Sequence, residues 1–109
     1  MIASNGYDVP TNMVDKYLDR LVNQFFKILP IKENGEPSLY EFMKSLQAEL
    51  LGFKGLMDQI GNDSMYLTLL SILQFLIENE CEIPVVKREV FKAISICKKL
   101  RIKYCKTGV

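Results

Sequence analysis

At 109 residues the chain has room for one hydrophobic core and no second independent domain, and its 49% hydrophobic, 25% charged composition is globular and excludes a disordered polyelectrolyte. The formal charge of +1 conceals an asymmetry: residues 1–83 hold six Lys or Arg against twelve Asp or Glu, leaving −6, whereas residues 84–109 hold eight against one, leaving +7. The most apolar stretch, 65–77, is shorter than the roughly 20 residues of a bilayer span, no secretory signal pattern opens the chain, and three cysteines without CxxC spacing read as reduced thiols, so a cytoplasmic protein away from membranes is expected.

Residues 1–10, with Asn5, Gly6 and Pro10, carry no periodic pattern and read as a flexible N-terminal arm ahead of a single domain over 11–109. Apolar residues then recur at Val14, Tyr17, Leu18, Leu21, Val22, Phe25, Ile28 and Leu29. That spacing predicts an amphipathic helix starting near Asn12, and Pro30 is expected to end it. After the turn-rich IKENGEP, Ser38 and Glu41 match a capping box. A second stripe runs from Leu39 to Ile60, and Gly52 and Gly55 inside it suggest one bent helix or a close approach by a neighbour. Asn62 or Asp63 caps the next helix, 65 to about 79. Being apolar nearly all round, that helix is expected at the centre of the fold. Pro84 suits the first turn of a last helix reaching Tyr104 or Cys105. Short connectors between four such helices predict an all-α, compact up-and-down bundle.

Projected at 100° per residue, the last helix gathers Val86, Val90, Ala93, Ile94, Cys97, Leu100 and Tyr104 on a core-facing side. Arg88, Lys92, Lys99, Lys103 and Lys106 line up opposite, with Lys87, Lys98 and Arg101 on the flanks. An ordinary solvated face, with cations favoured near a helix C-terminus, accounts for Lys103 and Lys106. It does not account for Arg88 and Lys92 in the first half. A straight row of cations would also match a phosphate backbone. Phe91 and Ile102 flank the row on one side and Ile96 on the other, where they could anchor a protein partner.

Catalytic chemistry is not legible. There is no histidine, no phosphate-cradling glycine loop, no metal-ligand spacing and no cofactor motif. Cys97 points into the expected core, Cys81 lies among Glu78, Glu80 and Glu82, and Cys105, near lysines, is the most plausible reactive thiol although no base accompanies it. The sequence therefore points to a non-catalytic binding protein without cofactor, metal or small-molecule substrate. Its basic helix is expected to contact a nucleic-acid backbone within a larger assembly, through Arg88, Lys92, Lys99, Lys103 and Lys106. The alternative is a protein-interaction module (adaptor, inhibitor or self-assembling subunit) docking an acidic surface through the same helix, with Phe91, Ile96 and Ile102 as anchors. A homo-oligomer, in which Glu78, Glu80 and Glu82 of one copy receive the basic helix of another, is a further expectation.

Overall fold

The computed structural model describes residues 1–105 as five helices: α1 (Thr11–Glu33), α2 (Leu39–Leu56), α3 (Asp58–Gly61), α4 (Ser64–Glu78) and α5 (Ile83–Cys105). Four are long and one is a single turn, so the all-α bundle expected from the periodicity is what forms. Each apolar stripe supplies its share of one core. Leu18, Leu21, Phe25 and Ile28 of α1 meet Leu46 and Leu50 of α2, Tyr66, Leu69 and Leu73 of α4, and Val90, Cys97 and Leu100 of α5, all of them buried. The direction of the packing is fixed by pairs that run in opposite senses along the chain. Phe26 meets Phe91 while Asp15 meets Arg101, Tyr17 meets Phe53 while Arg20 meets Glu49, and Asp63 meets Lys103. Neighbouring long helices are therefore antiparallel, with α1 against α5 as the largest contact.

Pro30 does not end α1. The helix carries it inside the last turn, with its ring exposed and Ile28 and Leu29 buried just before it. A proline costs a helix one hydrogen bond and a clash with the preceding turn, and burial of those two side chains outweighs that here. The stop comes at Gly35, whose φ of +65° is left-handed. The Gly35 amide donates to the Lys32 carbonyl and the Glu36 amide to Ile31, the paired bonds of a Schellman turn.

Three other expectations change. Ser38 precedes α2, but its side chain makes no capping hydrogen bond, because the residue is already in helical geometry (φ −74°, ψ −4°). The second stripe is two helices rather than one bent helix, and the break falls at buried Met57 (φ −117°, ψ 78°) and not at Gly52 or Gly55, both of which face open space. The close approach is at Gly61 instead: a Cβ there would lie 2.6 Å from Lys54 Cα, so α3 folds directly onto the backbone of α2. Finally, α4 is one corner of the bundle and not its centre. It buries Tyr66, Leu69, Ile72, Leu73 and Leu76 but leaves Leu67 and Phe75 exposed, as a four-helix arrangement has corners and no central member. Its N-terminus is as expected: Asp63 caps it by accepting from the Met65 amide at 2.8 Å.

Residues 1–10 close into a loop docked on the end of α2. Ile2 and Asp8 form an antiparallel bridge, Ala3 is buried, and the Met1 amino group donates to Asp8 at 3.0 Å. The Ser4 amide donates to the Leu56 carbonyl at 2.6 Å, and its hydroxyl lies 2.7 Å from the Gly55 carbonyl. Those carbonyls belong to the last turn of α2 and have no partner within the helix. The segment without periodicity thus serves as the C-terminal cap of α2. No helix among the described residues is long and apolar enough to cross a membrane.

Candidate partner-binding face

The core stripe of α5 sits where its 3.6-residue period places it. Val86, Val90, Ala93, Ile94, Cys97 and Leu100 are buried, with Tyr104 half-buried beside them. This fixes the rotation of the helix and therefore which side chains face outward.

Of the candidate cations, Arg88, Lys92 and Lys99 are exposed on the outer face. Arg88 and Lys92 lean towards Glu89, at 3.3 and 4.0 Å, and Glu89 itself is nearly buried. Lys99 has no carboxylate partner among the described residues. Lys103 is committed elsewhere: its ammonium lies 2.6 Å from Asp63 Oδ2 and 5.3 Å from the centre of the Tyr104 ring. Lys106 lies outside the described residues. Arg101, on the α1 side, is neutralised by a fork of contacts, with Nε 2.9 Å and Nη2 3.2 Å from the two Asp15 oxygens and Nη1 2.9 Å from Asp19. The +7 of the terminal segment is therefore not all available, since the acidic part of the chain takes up two of its cations at the far end of α5.

The apolar candidates fare differently. Ile96 is half-buried against the core and is lost as an anchor. Phe91 is 45% exposed and Ile102 62% exposed. Phe91 meets Phe26 of α1 edge to face, with ring centres 6.4 Å apart, and Phe26 is itself about half exposed. Phe26 is the functional candidate that the sequence reading lacks. The signal for it is the Phe25-Phe26 doublet, because adjacent residues on a helix lie 100° apart and only one can join the core stripe.

Along this edge of α5 the residues Lys87, Phe91, Lys98 and Ile102 follow one another at successive spacings of four, seven and four, so that they share one side of the helix and Phe91 and Ile102 sit about 16 Å apart along the axis. All four are exposed. The edge alternates cation and hydrophobe, which differs from a plain row of charge.

Two of the cysteines are shifted towards the protonated thiol. Burial pushes Cys97 up to about 12. Cys105 is raised as well, first by burial and then by Asp15, with Arg101 opposing, which favours its thiol over its thiolate. Among the described residues no group of three or more Cys, Asp or Glu side chains is placed to hold a metal ion. Compared with known proteins, the chain matches no family model, no curated protein and no solved structure.

Proposed function

We propose that this protein is a non-catalytic binding module that holds an acidic protein partner on the outer edge of α5. The observation that carries the reading is the alternation of exposed Lys87, Phe91, Lys98 and Ile102, widened by Phe26 across the α1 seam. Exposed aromatic and aliphatic side chains within a cationic setting provide the two things such an interface needs: anchors that gain from desolvation, and charges that steer and orient the partner. A phosphate backbone needs only the second, and it would find Arg101 and Lys103 already paired within the molecule.

The nucleic-acid reading retains Arg88, Lys92 and Lys99, exposed cations of the row, while Lys103, though exposed, is paired with Asp63. The two readings separate in one experiment. Binding is measured against a synthetic acidic amphipathic helical peptide and against mixed-sequence DNA and RNA, with Phe91→Ser/Ile102→Ser and Lys92→Glu/Lys99→Glu variants. The protein-partner reading expects the peptide to bind and the Phe91→Ser/Ile102→Ser change to weaken it at least tenfold. Retention on DNA or RNA that falls steeply with salt, is abolished by Lys92→Glu/Lys99→Glu and ignores the apolar changes would replace this reading with the nucleic-acid one. Sedimentation of the protein alone at low and high salt tests whether the acidic partner is a second copy.

A further inference from the structure

We infer that the cleft where α1 and α4 end binds an amphipathic cation, an apolar chain or ring carrying an ammonium head. This site lies away from the outer edge of α5 and does not depend on the partner-binding reading.

The end of α1, the connector to α2, the first turns of α2, the end of α4 and the connector to α5 close around a cavity of about 500 Å³. That volume falls within the range of small-molecule sites, about 300–1,000 Å³. Its floor is apolar and belongs to the core: Ile28, Met43, Leu76 and Val86 are all buried. Its mouth is charged and lopsided, with Glu36, Glu78 and Glu80 against Lys32 alone. Lys32 donates to Glu80 at 3.1 Å, so that pair is closed. Glu78 accepts from the Gln74 amide, and neither Glu78 nor Glu36 meets a cation among the described residues.

The helix ends themselves are balanced there, since α1 and α4 finish at the cleft while α2 and α5 begin at it, so the charge of the mouth comes from its side chains. A side chain at the rim adds to this imbalance. Tyr40, exposed at the rim, offers an aromatic ring of the kind that attracts ammonium groups. An anion entering the cleft would meet two carboxylates that have no cation, and Lys32, the one cation of the lining, already shares its charge with Glu80. An ammonium group meets the same surroundings as attraction, while its apolar body covers the floor.

The test uses butyl-, hexyl- and octylammonium below micellar concentrations, with octanoate and octanol as charge controls, followed by amide chemical shifts and calorimetry. The proposal expects shifts at Met43, Leu76 and Val86 and a Kd that tightens about three- to fourfold per added methylene. Octanoate should bind at least tenfold more weakly than octylammonium. A Glu36→Gln/Glu78→Gln variant, altered only at exposed positions, should weaken octylammonium about three- to tenfold, the scale of two exposed ion pairs, and leave octanol unchanged. Octanoate binding as tightly as octylammonium, a variant indifferent to head-group charge, or shifts centred on Leu51 and Phe75 in the shallow α2–α4 groove would each overturn it.

Discussion

Lys103, in the last turn of α5, places its ammonium 2.6 Å from the carboxylate of Asp63, the residue that caps α4. One nearly buried carboxylate thus serves a helix start, a cation and the Tyr104 hydroxyl together, and ties the two ends of the chain's last helical pair. Burial by itself raises the Asp63 carboxyl, but the hydrogen bonds from Lys103, Tyr104 and the Met65 amide outweigh it and hold it below its ordinary 3.8. A folded value below the unfolded one means that the unfolded chain binds the extra proton. The stabilisation is therefore present above about pH 4 and is lost as pH falls through the folded value. Asp63→Ala should cost roughly 1–2 kcal/mol in urea unfolding at pH 7, the usual loss for a helix cap. Asp63→Asn, which can still cap, should cost less and should flatten the acid limb. An unchanged acid limb in Asp63→Asn would show that other carboxylates set it.

The two kinds of glycine in the second apolar stripe give opposite predictions. Gly61 packs on Lys54, where a Cβ would lie 2.6 Å from the Lys54 Cα and 2.7 Å from its carbonyl oxygen. Backbone cannot swing aside as a side chain can, so Gly61→Ala should destabilise by about 1–3 kcal/mol or more. Gly52 lies inside α2 facing open space, and Gly52→Ala should stabilise by about 0.5–1 kcal/mol. Thermal unfolding of the two single variants checks both signs, and the α2–α3 fold-back is refuted if Gly61→Ala is neutral.

This contrast also shows what the sequence made legible. Stripes repeating every 3.6 residues located the long helices and the rotation of α5, because burial of an apolar face depends only on local spacing. The capping of α2 by Ser4 and the continuation of α1 through Pro30 depend on contacts far apart in the chain, and the close approach of Gly61 to Lys54, seven residues back, depends on the sharp break at Met57, which apolar spacing does not report. The candidate face divides in the same way. The outward positions of Arg88, Phe91, Lys92, Lys99 and Ile102 were readable from periodicity. The capture of Arg101 by Asp15 and Asp19, and of Lys103 by Asp63, required knowing that α1 and α4 flank α5 in antiparallel sense. The acidic cleft is assembled from several separate segments and has no sequence signature.

Arg101 should contribute to the α1–α5 contact through geometry as much as through charge. Its guanidinium engages Asp15 through two nitrogens and reaches Asp19 with a third, and both Arg101 and Asp15 are less than one-third exposed. Forked contacts of this kind are stronger than single exposed ion pairs, and an ammonium cannot reproduce them. A double-mutant cycle on Arg101 and Asp15 should return a coupling of about 1 kcal/mol that survives 0.5 M salt in part. Arg101→Lys should lose most of it. A coupling near zero would reduce the fork to a surface pairing of no consequence.

The last prediction concerns a buried hydroxyl that has no use in the folded core. The Tyr17 ring stacks on Phe53, with centres 4.2 Å apart and planes 14° from parallel, but its hydroxyl oxygen is buried without a hydrogen-bond partner. The neighbouring Tyr66 hydroxyl donates instead to the Leu50 carbonyl at 2.7 Å. An unsatisfied buried polar group costs about 1–3 kcal/mol, whereas a satisfied one is worth about 1 kcal/mol. Tyr17→Phe keeps the stacked ring and removes the orphan, so it should be neutral or stabilise by about 1 kcal/mol, while Tyr66→Phe should destabilise by about as much. Burial, the largest cause for both phenols, raises them above the ordinary 10.0. The folded state then holds its protons longer than the unfolded one, and stability falls as pH rises past about 10. Tyr17→Phe should make that alkaline loss shallower, and Tyr66→Phe likewise. If Tyr17→Phe instead costs more than about 1 kcal/mol, the hydroxyl has a partner in solution and the core around Phe53 is wetter than this packing shows.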